Sequence, residues 1–378
     1  MKELKKNMKL QVLQENLEKA VSITSRFASV KAQLPVLGNI LLSAQKNKIF
    51  VSSTNLEISA SVHVGAKIEE EGEVSVPAKV ISELVANLPK ETITLAADKE
   101  QLKVSAQGFS STVLGMNSSD FPKIPSTVSK EKAVTLSHEE LVKALGQVVF
   151  ATSTDETRPI LTGVLFLFGK NLLSLVATDG FRLSRKTLPV RSGSEKRESI
   201  VIPKAVLNEL LRTVPEDAEV LFDLQDKEKQ AIFGVGDVIL TSRLLEGEYP
   251  DFEKIIPKSS SVKILLDKEE LLRAVKLASI FARESANIVK VKVLKDSVKI
   301  SAESGQAGNQ ETTVEARVES GEKDFEIAFN YRFLEDFLHS VPGEEVKMEF
   351  SGASSAGIFT DTSDSTYLHL IMPVKVQT

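Results

Sequence analysis

Val76-Pro-Ala-Lys-Val-Ile-Ser-Glu-Leu-Val-Ala-Asn-Leu-Pro89 is one of three related stretches. The others are Ile202-Pro-Lys-Ala-Val-Leu-Asn-Glu-Leu-Leu-Arg-Thr-Val-Pro215 and Phe329-Asn-Tyr-Arg-Phe-Leu-Glu-Asp-Phe-Leu-His-Ser-Val-Pro342. The closing prolines fall at 89, 215 and 342, a period of about 126 residues, far longer than a solenoid repeat and long enough for a domain. Each stretch has the spacing of a short amphipathic helix. Val80, Ile81, Leu84, Val85 and Leu88 form its apolar stripe in the first copy. Val206, Leu207, Leu210, Leu211 and Val214 match them in the second, and Phe333, Leu334, Phe337, Leu338 and Val341 in the third. Pro77 and Pro203 suit the first helical position, and the closing prolines stop the helix.

Outward from these stretches, a second helix recurs as Leu17-Glu-Lys-Ala-Val, Leu141-Val-Lys-Ala-Leu and Leu271-Leu-Arg-Ala-Val. Ser137 and Asp267 are candidate N-caps, with Glu140 and Glu270 at the capping-box spacing. Period-two runs at Ile40–Ser43, Ile49–Ser53, Ile58–Val64, Gly163–Phe168, Leu172–Ala177, Phe181–Leu188, Ile288–Leu294 and Val298–Ala302 predict half-buried antiparallel strands. The expected fold is α+β: three tandem domains, each with two helices packed on antiparallel sheets of about eight strands. Ser, Pro and Lys gather near Lys130–Ala133 and Lys258–Ser261, which places the domains at 1–130, 131–258 and 259–378.

Composition bounds the function. The 378 residues are 42% hydrophobic and 26% charged, an ordinary globular balance. No apolar run approaches a membrane span, and MKELKKNMKL lacks the apolar core of a secretory signal, so no membrane role is expected. Met8 is a second candidate start. The chain has no cysteine, which excludes disulfides and fits a reducing cytoplasm. Its net charge is −5, so any surface that meets nucleic acid must gather its cations locally.

Leu34-Pro-Val-Leu-Gly-Asn-Ile-Leu41, Thr54-Asn-Leu-Glu57, Asp120-Phe-Pro122, Leu161-Thr-Gly163, Ala177-Thr-Asp-Gly-Phe-Arg-Leu183, Tyr249-Pro-Asp-Phe252 and Met372-Pro373 stand in order across all three repeats. In sequence and spacing they resemble the bacterial DNA polymerase III beta subunit, or beta sliding clamp, family. The resemblance implies a head-to-tail homodimeric ring that encircles duplex DNA without reading its sequence. It implies as partners the replicative polymerase, a separate clamp loader, and other polymerases and repair proteins that carry a clamp-binding peptide.

By the same resemblance, the wall of the partner-peptide pocket comprises Leu161, Thr178, Gly180, Phe181, Arg182, Leu183, Pro250, Lys254, Ile255, Ser355, Leu370, Met372, Pro373 and Val374. Phe181 stands where relatives commonly carry histidine and Lys375 where they carry arginine, and Val376-Gln377-Thr378 extends the usual ending. DNA would be faced by Lys19, Arg26, Lys79, Lys143, Lys204, Arg212, Arg273, Lys276, Arg283 and Arg332, although Glu83, Glu209 and Asp336 lie on the same helices. A ring interface would bring Ser111 and Val113 against Ile280 and Phe281 of a second copy.

Read without the resemblance, the pocket residues also fit ordinary strand packing with a turn at Asp179-Gly180, and the cations fit a solvated helix face. A catalytic role is not expected. His63, His138, His339 and His369 lack metal-ligand spacing, and Gly234-Val-Gly236 lacks the third glycine of a dinucleotide loop. No P-loop is present, and no cofactor is expected. A triplicated scaffold that does not bind DNA and a nucleic-acid hydrolase are the alternatives.

Overall fold

Each repeat opens with a strand that runs straight into a helix, because an extended residue at the boundary turns the chain and leaves the first helical N–H groups to be capped. The structure, a computed structural model, describes residues 7–29, 34–129, 133–190, 199–213, 219–225, 227–320 and 325–375. The first repeat contains β1 (Met8–Leu13), α1 (Gln14–Ser25), β2 (Asn39–Gln45), β3 (Lys48–Thr54), β4 (Ile58–Gly65), β5 (Lys67–Glu70), β6 (Gly72–Pro77), α2 (Ala78–Ala86), β7 (Thr92–Asp98), β8 (Gln101–Ala106) and β9 (Phe109–Leu114). The second contains β10 (Val134–Ser137), α3 (His138–Val148), β11 (Gly163–Gly169), β12 (Leu172–Thr178), β13 (Arg182–Pro189), β14 (Ser199–Pro203), α4 (Lys204–Thr213), β15 (Glu219–Gln225), β16 (Gln230–Val235) and β17 (Val238–Arg243). The third contains β18 (Val262–Asp267), α5 (Lys268–Ala282), β19 (Ile288–Val293), β20 (Ser297–Ser304), β21 (Gly308–Ser320), β22 (Glu326–Asn330), α6 (Tyr331–Ser340), β23 (Glu345–Phe350), β24 (Gly357–Asp361) and β25 (Asp364–Ile371). The three-fold α+β repeat is thus present, with antiparallel pairing throughout the described ladders.

Two details differ from the sequence reading. Pro77 and Pro203 end the preceding strands, and α2 and α4 begin one residue later. The fixed proline φ serves as well at this boundary, where Pro77 has φ −56 and ψ 122. Val80 is 48% exposed, whereas Ala78, Ile81 and Val85 carry the buried face of α2. A nine-residue helix lying on a sheet needs only a narrow stripe. Lys130, Val214, Pro215 and the Val376-Gln377-Thr378 ending lie outside the described residues.

The chain forms two compact units, and the division falls inside the middle repeat. One unit comprises Met1–Glu139 with Ala205–Leu244, and the other Glu140–Lys204 with Leu245–Thr378. In the first unit, a sheet of order β10-β15-β16-β17-β4-β3-β2-β6 joins the repeats through β17 and β4, with Leu240 opposite Ala60 and Thr241 opposite Ser59. A second sheet, β5-β1-β7-β8-β9, completes that unit, and α1 packs on α2. In the second unit, one sheet of order β14-β11-β12-β13-β25-β24-β23-β18-β21-β20-β19-β22 joins the repeats through β13 and β25, with Leu183 opposite Leu370. There α5 and α6 lie over a core that includes Phe329, Phe337, Phe350 and Phe359. Ladder pairing across each join explains why the units cut through a repeat. Separating two repeats would strip a strand edge of hydrogen bonds, each with a net contribution of about 1 kcal/mol.

Candidate functional site

The β12–β13 turn shows how short polar side chains fix a site. Thr178 Oγ1 accepts from Gly180 N at 3.0 Å and donates to Arg182 O at 2.6 Å. Asp179 Oδ1 accepts from Phe181 N at 2.9 Å and Arg182 N at 3.0 Å. These bonds replace a ladder where the chain reverses, and Gly180 takes φ +94, a conformation that costs glycine little. Phe181 is thereby held outward, 61% exposed. Its carbonyl accepts from Met372 N at 2.8 Å, so the end of β25 is tied to the turn.

Beneath this rim lies an apolar floor of Leu165, Val176, Leu183, Val201, Phe252, Ile358 and Leu370, with Tyr249 and Ile256 packed against it. The turn Phe252–Ile255 carries Lys254 and Ile255 to the surface. Phe181, Ile255 and Met372 are large apolar side chains left exposed on this one structure. Leu161 is buried, Pro250 and Ser355 are exposed, and Pro373 and Val374 are half-buried. Val374 N donates to Ala328 O at 2.8 Å, which anchors the tail. Tyr249 donates to Val176 O at 3.3 Å, and burial pushes its phenol far above the usual range. The arrangement offers an apolar shelf with fixed backbone groups, suited to a short peptide.

Arg182, expected in the pocket wall, also makes a set of bonds within the fold. Its guanidinium donates to Asp179 at 3.0 Å, Asp336 at 2.5 Å and Phe150 O at 2.8 Å. It also lies over the Phe333 ring at 4.5 Å from the centroid. The side chain therefore clasps the turn to α6, with three of its five N–H donors engaged within the fold. Sequence reading placed Asp336 among the helix charges and missed this pairing across the chain. It also missed the floor residues Phe252 and Ile358, because a buried apolar residue looks the same in sequence under a site as elsewhere.

Among the cations, Lys19, Lys79, Lys143, Arg212, Arg273, Lys276, Arg283 and Arg332 are exposed. Arg26 caps α1 and ion-pairs with buried Glu209 of α4, so part of its charge is spent inside the unit. Lys204 is half-buried, and burial followed by nearby Arg182 lowers its pKa, while Asp336 works the other way. Arg273 and Lys276 border an open groove on α5 with Leu277 and Ile280. Among the described residues no cluster of His, Asp or Glu has the makings of a metal site.

Family models for the DNA polymerase III beta subunit match almost the whole chain: the N-terminal domain over residues 8–125, the central domain over 135–251 and the C-terminal domain over 253–375. The chain belongs to the DNA polymerase III beta subunit family. Within the family, it is 31% identical over 365 residues to the beta sliding clamp of Staphylococcus aureus, covering 93% of this chain and 95% of the relative. It is 30% identical over 394 residues to that of Synechocystis, covering 98% and 100%. The crystal structure of the Bacillus subtilis DNA polymerase sliding clamp superposes with a TM-score of 0.92 at 26% identity, covering 98% of this chain and 100% of that one. The Thermotoga maritima beta subunit does so with a TM-score of 0.89 at 26% identity, with the same coverage.

In this member of the beta subunit family, the residues expected at a ring interface are placed unequally. Val113 points into its own unit, 5% exposed, while Ser111 is half-buried on β9. Ile280 is 57% exposed, and Phe281 is partly buried against the core of its unit. The edge of β9 away from β8 pairs with no described strand. Residues 308–315 of β21 are likewise paired along one edge only, with β20. That second open edge was not visible in the sequence, where β21 reads as a polar run.

Proposed function

We propose that this chain closes with a second copy, head to tail, into a ring around duplex DNA, and serves in the cytoplasm as a non-catalytic sliding clamp for a replicative polymerase. One observation carries the reading. Within the chain, the last strand of one repeat pairs with the fourth strand of another, as β17 with β4 and β25 with β13. At the equivalent positions in the other repeats, β9 (last strand of the first) and the 308–315 part of β21 (fourth strand of the third) have an edge that meets no described strand. Unpaired edges invite another chain. Two copies supply two such pairs, and a heterologous contact repeated in this way closes instead of growing into a filament. Exposed Leu114 on β9 and Leu277 and Ile280 on α5 supply apolar surface for the seam.

The exposed lysines and arginines of the helices would meet phosphates only, since contacts to base edges would arrest movement along the duplex. Weak, exchangeable phosphate contacts leave encirclement as the source of retention. The shelf framed by Phe181, Ile255 and Met372 would take the apolar and Gln-bearing peptides of the polymerase, the clamp loader and repair proteins. The Bartonella birtlesii clamp, 25% identical to this chain, has been crystallised bound to griselimycin, which supports a ligand-binding role for the fold.

The test is topological. Loaded by a clamp loader with ATP onto a nicked circle, the protein should co-elute with the DNA and be released when a restriction enzyme linearises it. Retention unaffected by linearisation would show that affinity, not encirclement, holds it.

A further inference from the structure

The β4–β17 join reproduces the turn of the β13–β25 join bond for bond. Thr54 Oγ1 accepts from Leu56 N at 3.0 Å and donates to Ile58 O at 2.9 Å, as Thr178 does with Gly180 and Arg182. Asn55 Oδ1 accepts from Glu57 N and Ile58 N, as Asp179 does from Phe181 and Arg182. Arg243 N donates to Glu57 O at 2.8 Å, the counterpart of Met372 N to Phe181 O. Glu57 thus stands in the place of Phe181, Arg243 in that of Met372 and Thr241 in that of Leu370. A cavity of about 210 Å³ opens at this turn, bordered by Thr54, Glu57, Lys123, Gln230, Thr241 and Arg243.

The chemistry of the two clefts differs. Lys123 and Arg243 make no ion pair with a described residue, and they outnumber the single acid, Glu57. Thr241 is buried at the cavity wall, and its Oγ1 has no hydrogen-bond partner among the described residues. A buried hydroxyl in that state favours an incoming polar group. Leu56, Ile58 and Ile124 supply an apolar side to the same cavity.

We infer that the cleft at the β4–β17 join is a second ligand site, and that it takes a short acidic peptide segment. A carboxylate would lie between Arg243 and Lys123, in charge-assisted hydrogen bonds, with a neighbouring polar group on Thr241 and apolar side chains against Ile58 and Ile124. The inference rests on the reading of the β13–β25 join as a peptide site, from which it takes the shape of the cleft. The chemistry that selects the ligand belongs to the β4–β17 join alone.

The full-length chain, methyl-labelled at isoleucine and leucine, is titrated with acetyl-Leu-Asp-Leu-Glu-amide and with its Asn/Gln analogue. Saturable shifts of the Ile58 and Ile124 methyls by the acidic peptide are expected, with binding at least about tenfold weaker for the analogue, since charge-assisted hydrogen bonds are roughly twice as strong as neutral ones. Lys123→Ala with Arg243→Ala should abolish those shifts, and Met372→Ala should leave them intact. No saturable shift at Ile58 and Ile124, equal binding of the analogue, or shifts confined to Ile255 would each overturn the inference. Because Ile255 reports the other join separately, a Gln-and-apolar peptide that fails to move Ile255 counts against the first site without touching this one.

Discussion

Leu56 and Gly180 occupy the same position in equivalent turns, with φ +78 and φ +94. Only glycine accepts that backbone without a steric clash, and an L side chain there costs about 1–2 kcal/mol. Leu56→Gly should therefore raise stability by up to about 1 kcal/mol, since Leu56 is 45% exposed and its partial burial offsets only part of that strain. Gly180→Ala should lower it by a similar amount. Urea midpoints of the two variants against the parent are the check, and a fall for Leu56→Gly would show that its side chain contributes more than its backbone costs. The Arg182 clasp belongs to this scale as well. Arg182→Lys keeps the charge but cannot span Asp179, Asp336 and Phe150 O together, and its loss should approach that of Arg182→Met. The turn itself was legible in Thr178-Asp-Gly, because those residues act on their own neighbours. The role of Arg182 was not, because Asp336 lies 154 residues away in the chain.

The helices were legible for a related reason: a 3.6-residue period repeated three times is a local property, and so is the alternation of the strands. Which strand edges meet is a tertiary fact, and the joins β17–β4 and β25–β13 leave no mark in either segment alone. The β13–β25 join carries its own pH dependence. His369 is fully buried, with Ser184 Oγ at 2.7 Å from Nδ1 and the ring centroids of Phe150 and Phe337 each 5.5 Å from its own. Burial, aided by the Arg182 charge, pushes its pKa down from 6.5 to about 3. The unfolded chain takes up this proton first, so the contribution of His369 is full above pH 6.5 and is lost as pH falls from there toward 3. Asp364 acts lower on the scale. Burial raises its pKa, but the Lys186 ammonium at 2.5 Å and the Thr366 hydroxyl outweigh that and hold it at about 2 against an ordinary 3.8, so its contribution drains between those values. In thermal unfolding, His369→Gln should lose less Tm than the parent between about pH 7 and 4.5. An equal loss in both would place the acid sensitivity elsewhere.

The proposed ring closure makes the most exacting demand on the whole molecule, because it would ask β9 to use an edge that meets no described strand within one chain. Successive residues of an edge strand alternate in the direction of their N–H groups, inward to the neighbouring strand or outward. Ser111 and Thr112 lie opposite Val104 and Lys103 of β8, so one of the two N–H groups points to the open edge. Proline at that residue deletes a bond to a second copy and none within the chain; at the other it deletes a β8–β9 bond. Of Ser111→Pro and Thr112→Pro, one should keep the parent's circular dichroism while shifting the sedimentation mass toward monomer, and the other should lose Tm. Ile280→Ala with Phe281→Ala should move mass in the same direction through the helix side of the seam. The monomerising variants should also escape from nicked circles while still binding the Gln-and-apolar peptide, since the Phe181 shelf lies wholly within one unit of one chain. A persistent dimer in all three variants at low concentration would mean that β9 is not the closing edge. A monomer that still stays on circular DNA would separate retention from encirclement, and with it the link from strand edge to function.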